Sequence, residues 1–367
     1  MIINNAKILF ILKRRHYGDY DYPDAPCDSE NPDIPRLTSG LYNSALFVEK
    51  MLLNSGIHCK LVEVTDNNDI DREVYHFKPT HVIIEGLWVV PEKFEILTKL
   101  HPYVKWIVRL HSEIPFLAME GIAIEWILRY VLHHNVLVAC NSSHAVGNLR
   151  QLVKANHENW SDFTLEEKVW FLPNYYPTTD EPEEKEREKR NSPLHFGCFG
   201  AVRPLKNQLI QAMAAINYAT KHNRVLHFHM NGSRLEQGGN NNFKNIAALF
   251  VGTKNVLVAH PWMPHYDFLK LVRQMDLSMC VSFSETFCIV AADSVNERVP
   301  LVASKEINWC SPFSHADPTD INSIDTVIHR VLNPITKHIF TEINYRKLID
   351  YCKDSKDVWC DYFKKSR

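Results

Sequence analysis

Residues 277–304 read LSMCVSFSETFCIVAADSVNERVPLVAS, and the parsing of this stretch decides the fold. The apolar run 277–281, bounded by Asp276 and Ser282, has the length and composition of a short buried strand. A polar elbow follows at 282–286 and carries the carboxylate of Glu285. From Phe287 to Arg298, the residues Ile289, Val290, Ala292 or Asp293 and Asn296 recur at helical spacing, and after Pro300 the run 301–303 starts another strand. The unit is strand, elbow, helix, strand. In an open parallel sheet such an elbow lies at the carboxyl end of the strands, where ligands bind, and the next helix directs backbone N–H groups and its positive dipole end there. A phosphate would suit that place. Glu285 and Asp293 stand eight residues apart, roughly on one face, so both carboxylates could reach hydroxyls of one ligand. The same spacing arises if Glu285 merely caps the helix and Asp293 lies in solvent.

The chain has 367 residues, more than one small core accommodates, which points to two domains. Its formal charge of −2 offers no global argument for nucleic acid or membrane. The apolar run 6–12 is short and followed by Lys13, Arg14 and Arg15, so it reads as a first core strand rather than a secretory signal. No apolar run approaches the length of a transmembrane helix, and no stable membrane insertion is expected. Nine cysteines occur without a C-x-x-C pair. Several, including Cys140, Cys198 and Cys280, fall in predicted strands, as reduced core thiols of a cytoplasmic protein would.

After a strand at 8–12 comes a long loop, 13–39, rich in Asp, Pro and Tyr, of a length that suits a functional segment or disorder. Ser39 and Gly40 open an amphipathic helix with Leu41, Ala45, Val48 and Leu52 on one face, so Gly40 could belong to a phosphate-binding turn or Ser39 could be a plain N-cap. Alternation continues with strands at 59–64, 81–85, 106–110, 136–139 and 169–172 and helices from Pro91, near 122–132 and from Ser143. His111 lies just beyond the strand ending VRL, where a polar residue would face a cleft or make an ordinary loop hydrogen bond. PNYYP at 173–177 ends this first domain. A charged linker, 178–192, leads to a second set of strands at 194–199, 225–230 and 256–259, with helices at 207–218 and 265–275, a GGNNN loop, and then the opening unit. Helices near 324–331 and 341–363 close the chain. Residues 1–177 carry about −5 and residues 193–367 about +5, a mild field that favours an anionic ligand on the second half.

Between the strand ending at Phe199 and the helix at Asn207 lies GAVRPLK. Gly200 permits close approach of backbone, and Arg203 and Lys206 could bracket a diphosphate, or simply face solvent. The triplets Asp19-Tyr20-Asp21 and Asp69-Ile70-Asp71 lie in expected polar loops, and neither reads as a metal ligand. His227 and His229 alternate on a predicted strand without a third ligand at metal-site spacing, so no metal site is expected.

These features resemble the retaining glycosyltransferases of the GT-B fold that carry an E-x7-E motif, here Glu285 and Asp293. The matching stretches are FGAVRPLKN, SFSETFCIV and DSVNERVPLVAS, with Ser282, Glu285, Phe287, Asp293 and Pro300 in register. Gly40, His111, CNSSHAV, Pro173 and Asn174 fall where the family has its first-domain counterparts. Departures are Asp293 for the second glutamate, Cys288 and Arg298 for two glycines, and Ala201 after Gly200, which leaves Arg203 to supply the arginine.

The resemblance implies an α/β architecture of two Rossmann-like doubly wound domains facing a central cleft. They would be an acceptor-side domain at 1–177, the linker 178–192, a donor domain at 193–340, and a C-terminal helix at 341–367 with room to pack back on the first domain. It implies transfer of a hexosyl or pentosyl group, with retention and without metal, from a nucleotide-diphosphate sugar of UDP or GDP type to an acceptor hydroxyl; no other cofactor is implied. Arg203 and Lys206 would neutralise the diphosphate, the amides of Thr286, Phe287 and Cys288 would hold sugar and phosphate, Glu285 the sugar and Asp293 the ribose. His111 would meet the sugar from the first domain as the domains close. The acceptor is a glycan or a hydroxymethylated base in DNA; small GT-B enzymes of tailed phages do the latter, and for such a protein the compartment is the host cytoplasm. Other readings are a nucleotide-sugar epimerase or hydrolase of the same fold, or an inactive sugar-nucleotide binding protein. A nicotinamide dehydrogenase is disfavoured because no G-x-G-x-x-G follows a predicted strand. Oligomeric state is not legible.

Overall fold

The structure, a computed structural model, describes residues 6–14, 39–180 and 193–364. The described residues divide into two compact units, one of residues 6–14, 39–177 and 351–364, the other of residues 178–180 and 193–350. Most of the 13–39 loop and of the charged linker lies outside the described residues, as does Asp19-Tyr20-Asp21.

The first unit is built on six strands: β1 (Lys7–Lys13), β2 (His58–Val64), β3 (His81–Glu85), β4 (Lys105–Leu110), β5 (Val136–Cys140) and β6 (Val169–Phe171). They form one parallel sheet in the order β2-β1-β3-β4-β5-β6. HVIIE and VLVAC are buried at every position, the texture of parallel strands covered by helices on both faces. One face packs Leu9, Ile11, Val82, Ile84 and Val108; the other packs Ile8, Phe10, Ile83 and Ile107 against Val48 and against Trp359 and Phe363 from the end of the chain.

The second unit has β7 (Leu194–Gly197), β8 (Leu226–Asn231), β9 (Val256–His260), β10 (Leu277–Cys280) and β11 (Leu301–Ala303), also parallel, in the order β11-β10-β7-β8-β9. Reversal of strand order between β7 and β10 makes the switch point at which α/β sheets hold ligands. Both loops singled out in the sequence, 198–206 after β7 and 281–288 after β10, leave the sheet there.

Several expectations need correction. The helix expected from Phe287 runs Ile289–Asn296, because Cys288 takes a left-handed φ of 60° and begins the helix from outside it. GGNNN is not a loop: Gly239 opens the helix Gly239–Ala248. Asp69 and Asp71 lie in the first turn of the helix Asp69–Phe77, not in a polar loop; Asp69 accepts the Thr65 N–H at 3.0 Å and Asp71 pairs with His101 at 2.7 Å. The last helix begins earlier than expected and spans Lys337–Lys364. A third histidine does stand with His227 and His229: His195, on the neighbouring strand β7. Among the described residues no helix is long and apolar enough to cross a membrane.

Candidate functional site

The second unit gathers Gly200, Arg203, Lys206 and Glu285 at its switch point. Gly200 has φ 105°, a conformation that side chains with a Cβ rarely adopt, and its N–H donates to Asn231 Oδ1 at 2.8 Å. The loop then runs beside residues 234–239: Val202 N–H donates to Arg234 O at 2.8 Å and Glu236 N–H to Val202 O at 2.9 Å. Gln211 donates to Lys206 O at 2.8 Å and accepts the Val281 N–H at 2.9 Å, while Asn207 donates to Val281 O at 3.0 Å. Two amide side chains thus tie the end of the first loop to the start of the elbow. Asn207, Gln211 and Asn231 carry no sequence signal of this role, because each is an ordinary polar residue until the two loops meet.

Across that joint the Lys206 ammonium is paired with Glu285 Oε1, and Ser282 Oγ donates to the same oxygen at 3.0 Å. The two side chains are 14% and 8% exposed. Burial works against the ammonium, the Glu285 carboxylate works for it, and the balance holds the Lys206 pKa above its ordinary value. Arg203 pairs with Glu236 at 3.5 Å, and Arg234 shares that carboxylate at 2.7 Å. Both cations expected to meet a diphosphate therefore already face carboxylates, so an arriving anion would share them.

The elbow itself is anchored by Phe287, which is 1% exposed, packs on Trp309 and accepts the Trp309 indole N–H at its carbonyl at 2.7 Å. Thr286 is half-buried beside it. The two glycines that this chain lacks have a conformational meaning: Cys288 and Arg298 both hold left-handed φ values, 60° and 57°. Arg298 is fastened by its guanidinium over the Tyr345 ring at 3.1 Å. Asp293 is not a solvated helix residue. It is fully buried and bonded to His265 Nε2 at 2.8 Å; burial opposes the His265 charge, but Asp293 wins and raises its pKa. His265 went unrecognised in the sequence because nothing in PWMPH marks a partner 28 residues ahead.

In the first unit His111 joins a buried polar network at the carboxyl ends of β3, β4 and β5. Its Nε2 meets Glu85 at 2.5 Å, and Asn141 lies 3.4 Å from Nδ1. Arg109, fully buried, bonds both Glu85 oxygens at 3.1 and 3.2 Å and also Leu172 O, Pro173 O and Asn174 Oδ1. Burial, then Arg109, push the His111 pKa down against the pull of Glu85, so the imidazole is held toward neutrality. An arginine inside a strand, in KWIVRL, and a glutamate closing HVIIE were the available signals. At Gly40 a Cβ would meet nothing within 4 Å, and Ser39 Oγ accepts the Tyr42 N–H at 3.1 Å, which is an N-cap.

No family model and no curated protein matches the sequence. Solved structures do. A UDP-forming α,α-trehalose-phosphate synthase from Burkholderia xenovorans aligns over 82% of this chain and 77% of its own, at 12% identity and a TM-score of 0.63. The N-terminal domain of Candida albicans trehalose-6-phosphate phosphatase aligns over 100% and 98%, at 10% identity and a TM-score of 0.68. A mutant of S. aureus TarM, in complex with fondaparinux, α-GlcNAc-glycerol and UDP, aligns over 77% and 55%, at 14% identity and a TM-score of 0.57. At such identities the likeness shows the fold. That fold, two parallel α/β sheets of six and five strands, is GT-B.

Proposed function

We propose that this chain is a glycosyltransferase that moves a sugar, with retention, from a nucleotide-diphosphate sugar bound by the second unit to an acceptor hydroxyl. The observation that carries this reading is the joint of Lys206, Glu285 and Ser282 between the Gly200 loop and the elbow, at the switch point of a GT-B donor sheet. In this reaction the bond from the sugar's anomeric carbon to the diphosphate oxygen breaks, the acceptor oxygen bonds to that carbon, and the acceptor proton passes to the departing phosphate. Lys206 and Arg203 offset charge growing on the diphosphate, Glu285 holds sugar hydroxyls, and the amides at Thr286, Phe287 and Cys288 hold phosphate and sugar. Asp293 reaches the ribose only if its bond to His265 is exchanged or shared. His111, from the first unit, is assigned to the sugar, and Gly40 to close approach of the ligand. UDP is the first nucleotide to try, since two of the similar structures are described with it. The acceptor is a hydroxymethylated DNA base or a glycan, and a cytoplasmic setting belongs to the same proposal.

A thermal-shift panel of UDP, GDP, ADP and CDP, free and as sugar conjugates, should give a stabilising donor by mass action. With that donor, Lys206→Ala and Glu285→Ala should each lower transfer by about 10²- to 10³-fold, as expected for loss of charge stabilisation at the leaving group. His111→Ala belongs in the same series. Unchanged turnover in Lys206→Ala and Glu285→Ala would sink the mechanism, and nucleotide binding without transfer to either acceptor class would leave a binding protein.

A further inference from the structure

One face of the second sheet carries a group of histidines outside the donor joint. His195 in β7 lies directly opposite His227 in β8, Gly197 opposite His229, and Asn231 opposite His260 in β9. Paired positions and alternate residues share a face, so all four imidazoles project to one side. Phe196 and Phe228, on the other side, belong to the hydrophobic core. His195 Nδ1 meets His229 Nε2 at 2.9 Å, and His229 Nδ1 meets His260 Nε2 at 2.8 Å. One ring nitrogen from each of His195, His227 and His229 falls within 4.8 Å of the others. Three nitrogens about 2.0–2.1 Å from a common tetrahedral metal would be about 3.3 Å apart, so modest side-chain rotations close the set.

We propose that His195, His227 and His229 bind one late first-row transition-metal dication of the Zn2+ type, with His260 supporting His229 from behind. Imidazole nitrogen suits Zn2+, Ni2+ or Cu2+ and not Mg2+ or Ca2+, which take oxygen. With its proton on Nδ1, donated to His260, His229 turns the Nε2 lone pair to the metal, and His195 needs only a change of tautomer to do likewise. The metal would clamp β7 to β8. Those strands lead to Gly200 and to Asn231, which bond each other, so the clamp supports the donor loop without entering its chemistry.

The test is a Zn2+ titration of the full chain, stripped with chelator and dialysed, against a chromophoric zinc indicator. One equivalent should bind and raise the melting temperature. His195→Ala and His227→Ala should each weaken binding by about 100-fold, and His260→Gln by about 10-fold. His222→Ala, which removes a member of the exposed pair His222 and His329 at 3.3 Å, should change nothing. The proposal is overturned if the wild type takes up no Zn2+, if His227→Ala binds as tightly, or if binding follows His222 instead. Should His195→Ala or His227→Ala fail to fold, Cu2+ bound to the wild type gives an independent reading. Paramagnetic resonance should show coupling to several imidazole nitrogens, and absence of that coupling overturns the assignment.

Discussion

Lys206 keeps its charge in a nearly closed setting because Glu285 stands against it. The same logic governs Arg109 and Glu85, both fully buried. There Glu85→Gln should lower unfolding free energy by about 3–5 kcal/mol, measured by urea denaturation, because the guanidinium is left without its counter-charge. Glu85→Asp should cost less. A second residue sets a pH dependence. His81 is buried beside Lys105; burial, then that charge, push its pKa down from 6.5 to about 4. Between those values the unfolded chain binds the proton and the native one does not, so stability is full above about pH 6.5 and falls by up to about 1.4 kcal/mol per pH unit as pH drops toward 4. His81→Gln should flatten the urea midpoint between pH 6.5 and 4.5 relative to wild type. The comparison with wild type is essential, since half-buried His111 and His315 act in the same direction and His265 in the opposite one.

At the scale of elements, the helix Gly239–Ala248 and the Gly200 loop depend on each other. A Cβ at Gly239 would stand 2.1 Å from Val202 O, a contact that backbone must move to relieve. Gly239→Ala should therefore destabilise by about 1–3 kcal/mol. Under the proposed function it should also weaken nucleotide binding in calorimetry, because Val202 lies between Gly200 and Arg203; full-strength binding would separate the helix from the role proposed for the Gly200 loop. The helix Ile289–Asn296 shows the complementary case. Its entry through a left-handed Cys288 and its exit through a left-handed Arg298 place side chains where glycine is the low-strain choice. Each is held by what it touches: Cys288 is buried, and Arg298 lies on Tyr345.

Across the whole molecule, the last helix, Lys337–Lys364, contributes to the second unit up to Asp350 and to the first from Tyr351. Trp359 is fully buried in the first unit's core, 6.0 Å from the Phe10 ring, and donates its indole N–H to Pro173 O at 2.8 Å. Trp359→Ala should cost about 3–5 kcal/mol. Hydrogen exchange should rise in β1 and β4 while β7 and β8 keep their protection; loss of protection in both sheets would show that they unfold together.

The strands and their alternation with helices were legible because each is a local pattern. HVIIE, VLVAC and KWIVRL declare themselves by length, composition and flanking turn residues. The elbow after β10 was equally plain, and so was the place of Gly200, Arg203 and Lys206 before a helix. What sequence by itself determined, then, is two parallel α/β layers and the loops that lie at their carboxyl edges. Only tertiary structure decided who meets whom: Lys206 with Glu285, Asp293 with His265, Arg109 with Glu85, and His195 with His227 and His229. Those encounters depend on strand order and register, which bring together residues 24 to 79 positions apart, and periodicity within one element holds no record of its neighbour.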